Sequence, residues 1–115
     1  MDAKMKHTFY KFELETGEEV NLTLTFYFLL KLKTGHKEQY EAYNRIMTKG
    51  PQDEFDNITL LYTAYLCGLL AEDRYDDAMT EEEFICSLAP DREEIGKALG
   101  ALVAPKKAKA SATRS

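Results

Sequence analysis

The sequence has few of the residues on which enzymes depend near neutral pH. Among its 115 residues it contains two histidines, two cysteines and no tryptophan. His7 and His36 have no neighbouring nucleophile, and no phosphate-binding glycine loop, HExxH or GxSxG motif occurs. Cys67 and Cys86 lie in apolar segments, which predicts buried and unreactive thiols. We therefore expect a protein that is not an enzyme and that binds no cofactor or metal.

The sequence also lacks the features that direct a chain to secretion or to a membrane. The cysteines show no CxxC or Cys/His ligand spacing, which fits a reducing compartment. No apolar run that could serve as a signal peptide follows residues 1–6. The apolar stretch Leu60–Leu70 is too short to span a bilayer, and Tyr, Thr and Gly interrupt it. These absences predict a soluble cytoplasmic protein with no membrane partner.

Negative charge predominates, but it is unevenly distributed along the chain. The formal net charge is −5. The last twelve residues carry four basic and no acidic side chains, so residues 1–103 hold 11 basic against 20 acidic groups, a net charge of −9. An acidic body repels nucleic acid at long range. We therefore predict one folded domain over residues 1–104 without a nucleic-acid partner, followed by a disordered basic tail over 105–115.

Alternating apolar and polar residues predict an antiparallel β-hairpin near the N-terminus. The alternating apolar positions are Tyr10, Phe12, Leu14, Val20, Leu22, Leu24 and Phe26. They flank a polar turn at residues 15–19, and the period of two on both sides indicates strands with one solvent-exposed face.

The segment after the second strand allows two interpretations. Thr25 as an N-cap, the apolar run from Phe26 to Lys33 and Gly35 as a stop signal together favour a helix. The alternative is one long strand that continues to Leu32. We favour the helix.

Two longer helices are predicted in the middle of the chain. The first is a polar helix over residues 37–49 that ends at Gly50. Its apolar stripe consists of Tyr40, Tyr43, Ile46 and Met47. The second helix covers about residues 53–73 and is apolar nearly all round. One of its faces carries Phe55, Ile58, Tyr62, Tyr65 and Leu69. Such a helix must be buried on several sides, so we expect it at the centre of the domain.

Two shorter helices complete the predicted domain. Thr80 and Glu83 have the spacing of a capping box, and Pro90 stops the helix that they begin. Asp91 and Glu94 repeat this pattern at the start of the last helix. The predicted fold class is therefore α+β and mainly α, with an N-terminal β-hairpin packed on a small helical bundle around a central buried helix.

The order of these elements and several local strings resemble the tail assembly chaperones of long-tailed bacteriophages and prophages. The strings are Tyr10–Leu14 and Leu22–Phe26 in the hairpin, Leu60–Cys67 in the central helix and Met79–Phe84 at the capping box. The similarity covers most of residues 5–103. It implies a small acidic protein that is encoded just upstream of the tape-measure protein and is absent from the mature virion.

The resemblance also implies the partners. Such a chaperone binds the tape-measure protein in the host cytoplasm, keeps it soluble and helps to recruit tail-tube protein, and it can act as a homo-oligomer. Many members of the family have a longer form made by ribosomal frameshifting. Lys106 and Lys107 lie in a run that is compatible with an A-rich slippery site. We expect Tyr40, Tyr43 and Met47 to contact the partner, because tyrosine suits surfaces that are alternately wet and covered.

A second hypothesis assigns the acidic body to a different class of protein. A small phage-encoded inhibitor of the DNA-mimic type would use its carboxylates to occupy a host nucleic-acid-binding protein. The net charge of residues 1–103 supports this hypothesis, whereas the basic tail argues against it. A mimic also needs its carboxylates on one surface, and here they are scattered along the chain.

Overall fold

A computed structural model of the protein describes residues 9–103. These residues form a two-stranded antiparallel sheet and five α-helices, so the predicted α+β, mainly α class is confirmed. The strands are β1 (Tyr10–Glu13) and β2 (Glu19–Leu22). The helices are α1 (Phe26–Gly35), α2 (Lys37–Lys49), α3 (Glu54–Ala71), α4 (Glu81–Ser87) and α5 (Arg92–Val103).

The hairpin forms as its alternating pattern predicts. Tyr10 pairs with Leu22 at one end of the sheet, and Glu13 pairs with Glu19 at the other. Phe12 and Leu22 are buried, whereas the charged residues of β1 between the apolar ones are exposed. Gly17 closes the turn with a φ of +96°, a conformation that residues with a Cβ rarely adopt.

The residues after β2 form a helix and not a continued strand. Thr25 occupies the N-cap position of α1, and its carbonyl oxygen accepts hydrogen bonds from the amides of Phe28 and Leu29 at 3.0 and 3.1 Å. Its side chain does not cap the helix, because its Oγ1 lies 2.7 Å from the Oγ1 of Thr23. The helix ends at Gly35, and His36 alone separates it from α2.

Helix α3 occupies the centre of the fold, as predicted. Every residue from Leu60 to Leu69 is buried, and β2, α1, α2, α4 and α5 all pack against this helix. Asp53 caps it, since its Oδ1 accepts a hydrogen bond from the amide of Asp56 at 3.1 Å. The prediction was wrong for Phe55, which is 57% exposed because it lies in the first turn, before α3 enters the core.

The capping box predicted for α4 is also confirmed. The Oγ1 of Thr80 accepts from the amide of Glu83 at 3.2 Å, and the carboxylate of Glu83 accepts from the amide of Thr80 at 2.9 Å. This geometry directs Phe84 into the core, where its ring centroid lies 4.9 Å from that of Tyr65 and 5.4 Å from that of Tyr62. Phe84 is therefore part of the core.

Helix α5 is tied to the start of α3 at the protein surface. Arg92 donates two hydrogen bonds to the carboxylate of Glu54, at 2.5 and 3.1 Å. Asp91 accepts from the amide of Glu94 at 3.2 Å, as the predicted cap requires. Within residues 9–103, no helix is long and apolar enough to cross a membrane. The predicted tail over 105–115 lies outside the described residues.

Candidate functional site

The residues predicted to contact a partner lie on α2, and the structure separates them. Tyr43 is 8% exposed and belongs to the core, Tyr40 is half-buried, and Met47 is 43% exposed. Helix α2 packs against both α1 and α3, so the middle of its apolar stripe is turned inward and only the edge of the stripe reaches the surface. The contact that we predicted for Tyr43 therefore has to be corrected, because its side chain is covered.

The surroundings of Tyr43 agree with a core position. Burial raises the pKa of its hydroxyl above the usual 10.0, and the nearby Cys67 and Tyr40 add to this effect. The ring centroids of Tyr40 and Tyr43 are 5.9 Å apart. Tyr40 is also covered in part by Lys33 of α1, whose ammonium group lies 5.7 Å from the ring centroid. Of the three predicted contacts, Met47 is the one that is freely exposed.

Among the helices of residues 9–103, α1 exposes the most large apolar side chains. Phe26 is 85% exposed, Tyr27 50% and Leu30 55%, whereas the core side of the same helix is formed by Phe28, Leu29 and Leu32. We refer to Phe26, Tyr27 and Leu30 as the α1 face. An isolated exposed apolar side chain is common, but three neighbouring ones on one helix are typical of a binding surface.

Helix geometry makes the α1 face a continuous stripe. Successive residues of an α-helix are rotated by about 100°, so residues three and four apart lie side by side. Leu30 therefore lies one turn above Phe26, and Tyr27 lies beside them. The ring of Tyr27 also meets that of Phe28 edge to face, with a centroid distance of 5.1 Å. This contact fixes the orientation of Tyr27 against the core side of the helix.

The segment that contains the α1 face differs in charge from the rest of the sequence. No acidic residue occurs between Glu19 and Glu38, and the charged residues of α1 are Lys31 and Lys33. The ammonium group of Lys31 lies 5.5 Å from the ring centroid of Tyr27, within the range of a cation–π interaction. The stripe is thus an apolar and locally basic surface on an otherwise acidic domain.

The thiols and the imidazole within residues 9–103 lie in different surroundings. Cys67 is buried, and burial raises the pKa of its thiol to about 12, so the thiolate is scarce at neutral pH. Cys86 is exposed, which corrects our prediction that both thiols are buried. His36 stacks on the ring of Tyr75 with a centroid distance of 3.9 Å. His7 lies outside the described residues.

An acidic cleft of about 310 Å³ lies between the hairpin and the end of α3. Its carboxylates include Glu72, which accepts hydrogen bonds from Asn21 at 2.6 Å and from Arg74 at 3.0 Å. Arg74 also donates to Asp77 at 3.1 Å. Within the described residues 9–103, no group of three histidines, cysteines or carboxylates could hold a metal ion. The carboxylates of Glu72 and Asp77 are therefore held by protein partners.

The sequence contains one signal for an exposed apolar surface on α1, namely its run of large apolar residues. Residues Phe26–Leu30 are five consecutive large apolar side chains, and a helix directs successive residues around its whole circumference. A ten-residue helix with core on one side cannot bury all five. Some of them must be exposed, although the pattern alone does not indicate which ones.

The comparisons with known proteins add no relative to this description. The chain matches no protein family, no curated protein and no solved structure with which it was compared.

Proposed function

We propose that the protein is a phage tail assembly chaperone that binds helical segments of the tape-measure protein through the α1 face. The observation that carries this proposal is the exposure of Phe26, Tyr27 and Leu30 on a helix whose other side is anchored in the core. The resemblance of the hairpin, central helix and capping box to this family supports the same role. A function of this kind needs a surface and no catalytic group.

The size of the α1 face supports weak, repeated binding. Together its side chains expose roughly 300 to 400 Å², since an aromatic side chain spans about 200 Å². Covering this area would contribute about 8 to 10 kcal/mol before costs, at about 25 cal/mol per Å². Association itself costs roughly 4 to 15 kcal/mol. One copy should therefore bind weakly, whereas many copies along one long partner gain avidity and can still be displaced by tail-tube protein.

The acidic body supports the solubilising part of this role. Residues 1–103 carry a net charge of −9, and an apolar partner coated with such domains acquires their mutual repulsion. The proposed chaperone acts in the host cytoplasm and leaves before the virion is complete. The frameshifted longer form predicted from Lys106 and Lys107 falls outside the described residues and remains a prediction.

The test is co-expression with the tape-measure protein encoded by the same phage or prophage, followed by measurement of the soluble fraction of that protein. The wild-type chain should keep it soluble, and Phe26→Asp should lower the soluble fraction at least severalfold. An unchanged soluble fraction in the absence of the chaperone would refute the proposal.

Phe55→Asp is the matched control for this experiment. Phe55 is also an exposed aromatic residue in the first turn of a helix, but it lies on α3 and outside the α1 face. An aspartate in a first helical turn is favourable at either position, so neither substitution should unfold the domain. Phe55→Asp should therefore retain the solubilising activity that Phe26→Asp loses.

Salt distinguishes the chaperone from the DNA-mimic inhibitor. Binding through an apolar stripe persists in added salt, whereas carboxylates that replace phosphates lose their attraction as the charges are screened. A complex that is captured from phage-producing cells and dissociates at about 0.5 M NaCl would favour the inhibitor. Recovery of a nuclease or repressor in that complex would have the same meaning.

A further inference from the structure

The two lysines of α1 lie on opposite borders of the α1 face. At about 100° per residue, Lys31 follows Tyr27 by one turn on one border, and Lys33 follows Leu30 by three residues on the other. Both lysines are exposed, and their ammonium groups lie 5.5 Å from the ring of Tyr27 and 5.7 Å from that of Tyr40. The apolar stripe therefore has a lysine of α1 at each of its two borders.

We infer that the α1 face accepts an amphipathic helix whose apolar stripe is bordered by carboxylates. This inference rests on the proposed function, because it names the chemistry of the partner segment that the same surface would bind. A helix laid along α1 brings its border residues over Lys31 and Lys33. Acidic borders would pair with both lysines, whereas basic borders would place like charges together at a cost in affinity.

A second copy of this chain fits the α1 face less well. If two α1 faces met across a twofold axis, each would bring its own lysines to the borders, and α1 carries no acidic residue to pair with them. The area is also small, since a stable interface covers about 800 Å² on each partner. The α1 face offers roughly half of that area.

A membrane surface is disfavoured by the small size of the α1 face. An interfacial helix needs an apolar face that is long enough to enter the headgroup region, and it binds anionic lipid through basic charge. The α1 face has three exposed apolar side chains and two lysines on a helix of ten residues.

The test uses two synthetic peptides and the full chain. Each peptide is an amphipathic helix of about 18 residues with the same leucine stripe, and the border positions are glutamate in one peptide and lysine in the other. Affinities are measured by fluorescence anisotropy at about 0.05 M and about 0.5 M NaCl. We expect the glutamate-bordered peptide to bind about five- to tenfold more tightly at low salt, and the difference to shrink at high salt.

The variant Lys31→Gln/Lys33→Gln should remove this preference and leave the affinity for the lysine-bordered peptide unchanged or higher. Glutamine is a good helix former, so α1 should persist in circular dichroism. The control is Lys11→Gln/Lys97→Gln, which lowers the positive charge by the same amount at exposed positions on β1 and α5. The control should keep the preference for glutamate borders.

The outcomes separate this inference from the proposed function. If both peptides bind equally and Phe26→Asp abolishes both, the α1 face binds helices as proposed, but the inference about carboxylate borders is wrong. If neither peptide binds, the inference is also wrong, and the co-expression experiment decides the proposed function independently. A dimer in sedimentation equilibrium that Phe26→Asp dissociates, or tight binding to vesicles containing phosphatidylserine, would replace the proposed partner with another.

Discussion

The backbone carbonyl of Asn21 lies directly against the Cα of Gly68, so β2 rests on α3 without a side chain between them. A Cβ added at Gly68 would overlap the carbonyl oxygen and carbon of Asn21. Two residues after Asn21, the amide of Thr23 donates to the carbonyl oxygen of Ala64, one helical turn before Gly68, at 3.2 Å. This close approach holds the hairpin on the central helix, and it explains a glycine in the middle of a buried helix, where glycine is otherwise unfavourable.

Gly68→Ala should therefore destabilise the protein by about 2 to 4 kcal/mol, because the strand must move away from the helix to admit a methyl group. Gly96→Ala is the matched control, since nothing lies within 4 Å of the added Cβ at that position in α5. It should stabilise the protein by about 0.5 to 1 kcal/mol. Urea unfolding measures both changes. Equal effects of the two substitutions would mean that β2 and α3 are not in close contact.

Substitution by aspartate should lower the free energy of unfolding strongly at Tyr43 and only slightly at Met47. Tyr43→Asp places a carboxylate in the core and should cost more than about 3 kcal/mol, which shows as loss of the helical circular dichroism signal or a large fall in Tm. Met47→Asp changes an exposed residue and should alter stability by less than about 1 kcal/mol. A folded Tyr43→Asp variant of normal stability would show that Tyr43 lies at the surface, where it could contact a partner.

Thr80→Ala should remove the cap of α4 and lower the free energy of unfolding by about 1 kcal/mol. The cause is the loss of the hydrogen bond that the Thr80 hydroxyl accepts from the amide of Glu83 at 3.2 Å. Thr48→Ala is the control, because Thr48 is exposed and lies inside α2, where alanine is the better helix former. Stability is compared by urea unfolding, and a larger loss for Thr48→Ala would contradict the assignment.

The two thiols should differ in reactivity toward a disulfide reagent such as Ellman's reagent. Cys86 is exposed and should react in the native protein, whereas Cys67 is fully buried with a pKa raised to about 12. One thiol should therefore react before unfolding and two after it. Cys86→Ser should leave the native protein unreactive, and a rapidly reacting thiol in that variant would show that α3 opens readily.

Stability should fall steeply above about pH 10, where ordinary tyrosines ionise. Burial, followed by the charges of Tyr75 and Glu81, raises the pKa of Tyr62 from 10.0 to about 12. Since the folded pKa exceeds the unfolded one, the stabilising effect of the neutral hydroxyl is complete below pH 10 and is lost as the pH rises towards 12. For this one group the slope stays below about 1.4 kcal/mol per pH unit, because solvent screens part of the effect.

Tyr62→Phe tests this assignment. The variant loses the hydrogen bond from the Tyr62 hydroxyl to the carbonyl of Met79 at 2.7 Å, which should cost about 1 kcal/mol at neutral pH. Its stability should then decline less than that of the wild type between about pH 10 and pH 12. Urea unfolding across this range gives both slopes, and parallel slopes would show that the pKa of Tyr62 is the same in the folded and the unfolded protein.

Local signals accounted for much of the fold. The bounds of α2 followed from its apolar spacing and from Gly50, and the cap of α4 followed from Thr80 and Glu83. The hairpin followed from alternation and the turn around Gly17. Each of these features depends on hydrogen bonds or side-chain spacing within a few residues of the chain, and such short-range interactions can be inferred from sequence.

Which side of a helix is turned toward the core depends on residues that are distant in the sequence, so it could not be inferred from local signals. Tyr43 and Met47 share one apolar stripe in the sequence, but packing of α2 against both α1 and α3 covers Tyr43 and leaves Met47 exposed. Cys86 lies in an apolar segment and Phe55 on the predicted apolar face of α3, and both are nevertheless exposed.

The sequence by itself determined the class of the fold, the order of its elements and the central place of an almost wholly apolar helix. Only the tertiary structure decided which side of α1 presents Phe26 to solvent, because large apolar residues occur all around α1 and its orientation is set by α2 and α3. It also gave Gly68 its role, since the carbonyl that excludes a side chain there belongs to Asn21, 47 positions earlier in the chain. A residue is buried by the residues that pack around it in the folded protein, and a local sequence pattern does not show which residues those are.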